Sequence, residues 1–487
     1  MSASQVRELR ADVRHWRRGR ASATLGQVLS DAYVGVFTAV VVGAMLASTV
    51  VGLRRELGVG CTAGDCAAGR DLLPWLVALG AVLAVLSLAR LFGPVFVTPA
   101  VGSWLLTAPV DRTAVLRPRL LGAVGAAVVV APVALVAATL GGLSPVAVAA
   151  LTLGATVLAI LGVAGAAVSQ EREGRGGGLV AAAVGIVLWL LLLALATGRA
   201  PTRFLPTALW WPLVAVLAVL AAGLLGLALR GLAGVRHRQA TAGGSLAPGV
   251  SGALASLDLA LVHDLVIEHR WRAVESVRPA RGGPGGVAAL VWPDVVRLRR
   301  APSRPVVLLA SAVVAYAVAT VGAGRLTVLV AAVVGFLAGL PMLSALRVLT
   351  RTPALVRMLP FPVSTARGAT VVVPGALLLV WGLASVPALH TALGEPWGDS
   401  VLAGVGVAAA ALAGAARWVT GRPPDYGRPL VSSPAGAVPT NLYASAFRGF
   451  DIAVLGVLPL LLLPEATGAL LSVALSAGVL SYLLSRK

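Results

Sequence analysis

Twelve apolar runs of roughly 20 residues, separated by short polar connections, set the pattern of this chain. Six lie in the first half, at residues 32–52, 72–92, 120–141, 144–168, 177–197 and 208–229. Six more follow at 305–322, 326–346, 369–389, 400–416, 449–464 and 466–485, the eleventh being the shortest. A run of this length spans a hydrocarbon core of about 30 Å as an α-helix. The runs are continuous and rich in Leu, Ala and Val, without the alternation of a closed barrel strand. The pattern predicts an all-α polytopic membrane protein with about 12 transmembrane helices, arranged as two six-helix pseudo-repeats.

The polar stretches divide the chain. Residues 1–29 form a basic segment in which Leu9, Val13 and Trp16 fit one face of a helix on the membrane surface. A solvated tail is the plainer alternative. The run after it, at 32–52, is longer than the 7–15 residues of a signal-peptide core, so a cleaved leader is not expected. Residues 30–235 read as a first six-helix unit, 236–304 as a cytoplasmic linker, and 305–487 as a second unit. Within 236–304, 241–256 is Gly/Ser/Ala-rich and reads as a linker, whereas 257–274 and 287–300 read as short amphipathic helices. Pro423, Pro424, Pro434 and Pro439 argue against a continuous helix over 420–447, and Pro341 is expected to kink the eighth run.

Composition supports this class, with 58% hydrophobic and only 12% charged residues and a mean hydropathy of +0.92. The formal charge of +20 would suggest nucleic acid in a water-soluble chain. Here the basic residues crowd the connections, where they set orientation, and no nucleic-acid partner is expected. With the N-terminus inside, the outer connections hold Arg54, Arg55, Arg70, Arg199, Arg203 and Arg325, leaving 33 of the 39 basic residues inside or at inner helix ends. That bias predicts both termini on the cytoplasmic side. The near-exclusive use of Arg over Lys points to a GC-rich bacterial genome, and so to a bacterial cytoplasmic membrane. Cys61 and Cys66 share the first outer connection, where an oxidising exterior permits a disulfide; two free thiols are the alternative.

Chemistry is sparse. A Walker A loop requires a lysine, and Lys487 is the only lysine. The run interiors are nearly free of ionisable residues, Asp31 and Asp451 sit at run starts as helix caps, and His390 is expected at a surface helix end. His237, His263 and His269 lack metal-site spacing, and no catalytic constellation or resident cofactor is expected. What does recur is a connection. Thr98-Pro99-Ala100-Val101, followed by Pro109-Val110-Asp111-Arg112, has a counterpart in Thr352-Pro353-Ala354-Leu355, with Arg357 and then Pro362-Val363-Ser364-Thr365-Ala366-Arg367. Each copy follows the second run of its half and leads into the third, and each can begin a short helix at its proline.

The segment at 359–367, Leu-Pro-Phe-Pro-Val-Ser-Thr-Ala-Arg, resembles the inner loop of ABC-2-type transporter permeases. Leu106-Thr107-Ala108-Pro109-Val110-Asp111-Arg112 is a weaker copy lacking the first proline and the serine. The resemblance implies a non-enzymatic permease built as two fused units. A separate P-loop ATPase, which consumes the ATP, would dock on Thr98, Pro99, Pro109, Asp111 and Arg112 and on Thr352, Pro353, Arg357, Pro362 and Arg367. Export of an unidentified cargo would follow. A six-plus-six secondary transporter and a membrane scaffold or enzyme are the competing readings.

Overall fold

The computed structural model describes residues 64–172, 177–199, 207–256 and 258–486, with internal breaks at 273, 275, 278, 280–281, 423–430, 434–435, 439–444, 446 and 464, and four isolated positions before them. The basic N-terminal segment, the expected first span, Asp31 and Cys61 lie outside the described residues, apart from those isolated positions. The expected disulfide therefore does too.

Among the described residues, ten helices are long and apolar enough to cross a membrane. The protein is a multi-pass helical membrane protein. It forms two compact units, one comprising Met1–Leu191 with Pro201–Pro248, the other Leu192–Ala200 with Gly249–Lys487.

In the first unit, α1 (Gly64–Phe92) is followed by the six-residue α2 (Pro99–Trp104). Helices α3 (Arg112–Ala127) and α4 (Val130–Leu140) together make one span. It begins eight residues before the apolar run, because Asp111 caps it: Oδ1 accepts from the Thr113 amide at 2.9 Å, so the helix starts in polar sequence. Ser144 caps α5 (Pro145–Glu171) in the same way, with proline in the first turn, where no amide is needed. Then come α6 (Gly177–Ala196), α7 (Thr207–Gly231), a single 3₁₀ turn and α8 (His237–Ala255). The core is built from small and branched side chains, including Ala78, Val82, Leu86, Ala134, Ala159 and Val163. Gly162 sits where a Cβ would overlap Leu86, the close helix contact that packing in lipid rewards.

Helix α8 replaces the linker expected at 241–256. Its glycines are packing surface: a Cβ on Gly243 would overlap the Phe92 carbonyl oxygen, and one on Gly244 the Val97 carbonyl oxygen. Only a residue without a side chain lets the helix lie this close to another backbone.

The second unit opens with α9 (Leu259–Arg272) and α10 (Ala288–Arg300), the two expected amphipathic helices. Helices α11 (Ser303–Ala310) and α12 (Val313–Thr320) form one span. The next span is α13 (Leu326–Gly339), a 3₁₀ turn over Leu340–Leu343, and α14 (Ser344–Arg351). Pro341 lies in that turn, so the predicted kink is a local tightening of the helix around a missing amide. After α15 (Pro353–Met358) come α16 (Val363–Ala384), α17 (Val386–Leu393) and α18 (Trp397–Thr420). A ribbon pairing Val431–Ser433 with Gly436–Val438 is a minor departure from an all-α chain. Helices α19 (Phe450–Leu462) and α20 (Glu465–Ser485) close the unit. With 13 residues, α19 is about 20 Å long and shorter than a full span, unlike the run at 449–464.

Helix α18 is the axis of this unit. Gly404, Gly406, Ala410, Ala411, Gly414 and Ala415 are buried on its different faces. Gly404 and Gly382 of α16 meet so closely that a Cβ on either would press on the other's carbonyl oxygen. Trp381 fills the space beside Gly335, and its indole N–H donates to Ser311 Oγ at 3.1 Å.

Candidate functional site

The repeated connection has the same construction in both units. A span ends, a six-residue helix begins with proline, and a long helix follows, with a side-chain cap in the first unit only. In the first unit Thr98 precedes α2 and Pro99 occupies its first turn. The approach to it is held by hydrogen bonds from two neighbouring helices. Gln170 of α5 accepts from the Val95 amide at 3.2 Å and donates to the Val95 carbonyl at 3.0 Å, while the Val97 amide donates to Ala240 O at 2.9 Å. Gly102 is buried where a Cβ would overlap Thr241 of α8, so α8 braces the whole connection. Leu106 packs inward beside Val97, Val115 and Leu116, and the Arg112 guanidinium donates to Leu106 O at 3.3 Å. Trp104, by contrast, is 78% exposed, and Pro109 is exposed beyond it.

In the second unit Thr352 ends α14 outside the helical region, as the following Pro353 requires. Val356 turns α15 inward against Leu349 and Ala366 with Leu290 alongside, leaving Arg357 exposed and Met358 82% exposed. Pro362 stands at the cap of α16 in place of a carboxylate. Arg367 differs from the other residues of its group: its guanidinium donates to the Arg486 carbonyl, tying α16 to the end of α20.

Beside α15 lies an ion-pair lattice that the sequence reading did not single out. Arg347 Nε and Arg351 Nη2, one turn apart on α14, bind Asp264 Oδ1 and Oδ2 at 2.7 and 2.9 Å. One carboxylate thus clamps α9 onto the end of α14. Asp258, 2% exposed, caps α9 through the Leu261 amide at 3.0 Å. Arg448 is 7% exposed; burial pulls its guanidinium below the usual range, against the opposing field of Asp258. Burial, then the nearby Arg347, lowers the His263 pKa, which keeps the imidazole neutral against Trp418, 6.4 Å away between ring centroids. Asp451 behaves as a first-turn carboxylate, accepting from the Gly449 and Ile452 amides at 2.6 and 2.8 Å. His390 is half-buried, stacked on Trp397 at 4.2 Å with Nδ1 2.8 Å from Glu395 O, and is therefore more enclosed than the expected surface position.

Asp264→Ala leaves two half-buried arginines without their shared carboxylate. The expected loss is about 1–3 kcal/mol, with early proteolysis within 259–272. Thermal unfolding in detergent with limited proteolysis reads both, and unchanged values would mean the clamp carries no stability.

Among the described residues, no group of three or more His, Cys, Asp or Glu side chains could hold a metal ion. The assembly is that of a multi-pass membrane protein with two proline-started surface helices. The chain belongs to a family of unknown function, DUF6297, whose model matches residues 66–429. No curated protein matches it.

Proposed function

We propose that the chain is the membrane-spanning permease subunit of an ABC-type exporter in a bacterial cytoplasmic membrane. It would comprise twelve spans in two six-helix pseudo-repeats with both termini inside. A separate P-loop ATPase supplies the energy and docks on the connections after spans two and eight. The observation that carries this reading is the shared construction of the two connections. Each rigidly braced link turns a six-residue helix outward and exposes large apolar side chains, Trp104 in one and Leu355 and Met358 in the other, with Arg357 beside Met358. An aromatic or flexible apolar anchor next to an arginine is the composition of a binding hot spot.

A push on α15 would reach the bundle along two routes. Val356 packs on Leu349 and Ala366, and α14, continuous with α15 through Thr352, carries the arginines that grip Asp264. Hydrolysis in the partner would thereby tilt α14 and α16 about the break at Pro341. The surface-helix residues would act by position and contact; no step of the chemistry falls on this chain.

The test is co-purification of a P-loop ATPase with the chain from its native membranes. The double variant Trp104→Ala, Arg357→Glu removes one anchor and reverses one charge without touching a buried contact. It is expected to lower recovery of the ATPase by more than about tenfold, with thermal unfolding unchanged. Full recovery of the ATPase with the folded double variant would refute docking at these helices. Arg367 is unsuitable for this purpose, because its bond to Arg486 gives it a structural role.

A further inference from the structure

A second feature stands apart from the docking surface and does not rest on the transport reading. Helix α10 leads directly into the span α11–α12, and three arginines, Arg297, Arg299 and Arg300, fill its last turn. The Arg299 guanidinium lies 5.7 Å from the Trp292 ring centroid. A basic helix with an indole, immediately before a membrane span, lies at the bilayer surface.

A shallow, open surface groove forms between α10, the 3₁₀ break and α16, lined in part by Asp294, Arg297, Arg304, Pro341, Met342 and Leu377. Its origin is geometric. Pro341 tightens one helix, and Pro374 lies inside the continuous facing helix, where its ring lines the groove. The cleft has two characters. Leu298, Met342, Val373 and Leu377 form an apolar arm, while Asp294, Arg297 and Arg304 form a charged mouth.

The mouth is not a saturated ion pair. Asp294 is 4% exposed and Oδ1 takes the Arg297 guanidinium at 2.7 Å, but Oδ2 has no hydrogen-bond partner. Burial holds its carboxyl above the usual carboxylate range, with Arg297 opposing. Arg304, half-buried at the start of the span, forms no ion pair among the described residues. Two guanidiniums thus face one carboxylate, leaving one uncompensated positive charge at the surface of the bilayer.

We infer that this cleft binds an anionic phospholipid, its phosphodiester between Arg297 and Arg304 and an acyl chain along Met342, Val373 and Leu377. The single negative charge of a phosphodiester matches the single excess charge of the mouth, and guanidinium geometry suits phosphate oxygens. Asp294 is a positioning residue: it fixes one edge of Arg297 and leaves the remaining donors for the ligand. A zwitterionic lipid carries its own cation and would not neutralise the mouth.

The full chain, extracted into micelles holding dioleoylphosphatidylglycerol and dioleoylphosphatidylcholine in equal amounts, is examined by native mass spectrometry and thermal unfolding. Wild type is expected to retain phosphatidylglycerol preferentially and to be stabilised by it. Arg304→Gln should weaken that retention about fivefold. Leu377→Trp, which fills the apolar arm without altering charge, should also weaken it, whereas Arg299→Gln, outside the cleft, should not. The inference is overturned if both lipids are retained alike, if Arg304→Gln and Leu377→Trp both behave as wild type, or if Arg299→Gln loses as much as Arg304→Gln. Stabilisation by inorganic phosphate equal to that by phosphatidylglycerol would make the occupant a free anion and also overturn the lipid assignment.

Discussion

Trp381→Ala is expected to destabilise the second unit by about 3–5 kcal/mol, the usual cost of emptying a large aromatic site that cannot collapse. Trp381 is fully buried, and a neighbour that must stay small, Gly335, shapes its seat. Its indole N–H also holds Ser311, which joins α11 to α12, so the substitution loosens a span junction as well as opening a void. Trp381→Phe keeps most of the ring and drops the hydrogen bond, with an expected cost of about 1–2 kcal/mol. Thermal unfolding in detergent, followed by tryptophan-independent light scattering, separates the two. A Trp381→Ala midpoint equal to wild type would show that the packing around α16 and α18 does not limit stability.

Gly243→Ala tests a sign as well as a size. In an unconstrained helix the change from glycine to alanine stabilises by roughly 0.5–1 kcal/mol. At Gly243 the added methyl meets the Phe92 carbonyl, a backbone atom that cannot swing aside as a side chain can. The expected result is therefore a loss of about 1–3 kcal/mol from overpacking. Gly252, on the same helix with nothing within 4 Å of its would-be Cβ, is the internal control. Gly252→Ala should leave stability equal or slightly raised. If both substitutions stabilise, α8 is not seated on the connection at 92–98.

The contrast between these two glycines explains what could be read from the chain alone. Spans are legible because twenty apolar residues in succession admit few other fates. Their ends are less so: α3 starts at Arg112 and α16 at Val363, both ahead of the apolar runs, the first because Asp111 caps it and the second directly after the extended Pro362. The short helices at Pro99 and Pro353 were visible through proline's preference for a first turn. Gly243 and Gly244 read as slack because composition does not distinguish a glycine chosen for freedom from one chosen for thinness. The Asp264 clamp joins residues 83 positions apart, and no local period reports such a pair. A usable hint was present: with 19 acidic residues in the whole chain, each aspartate outside a helix cap was worth following to a partner. Asp294 would have surfaced by the same rule.

The bracing of α2 by α8 places a natural seam. Because the Val97 amide takes its acceptor from Ala240 and Gly102 nests against Thr241, the first unit owns the polypeptide well beyond the last residue of its final apolar run. A gene dissected at 236 would strip that connection of its own backbone partner. One severed after Pro248 would leave it intact, so the first unit reaches into α8, beyond the end that its hydropathy alone suggests.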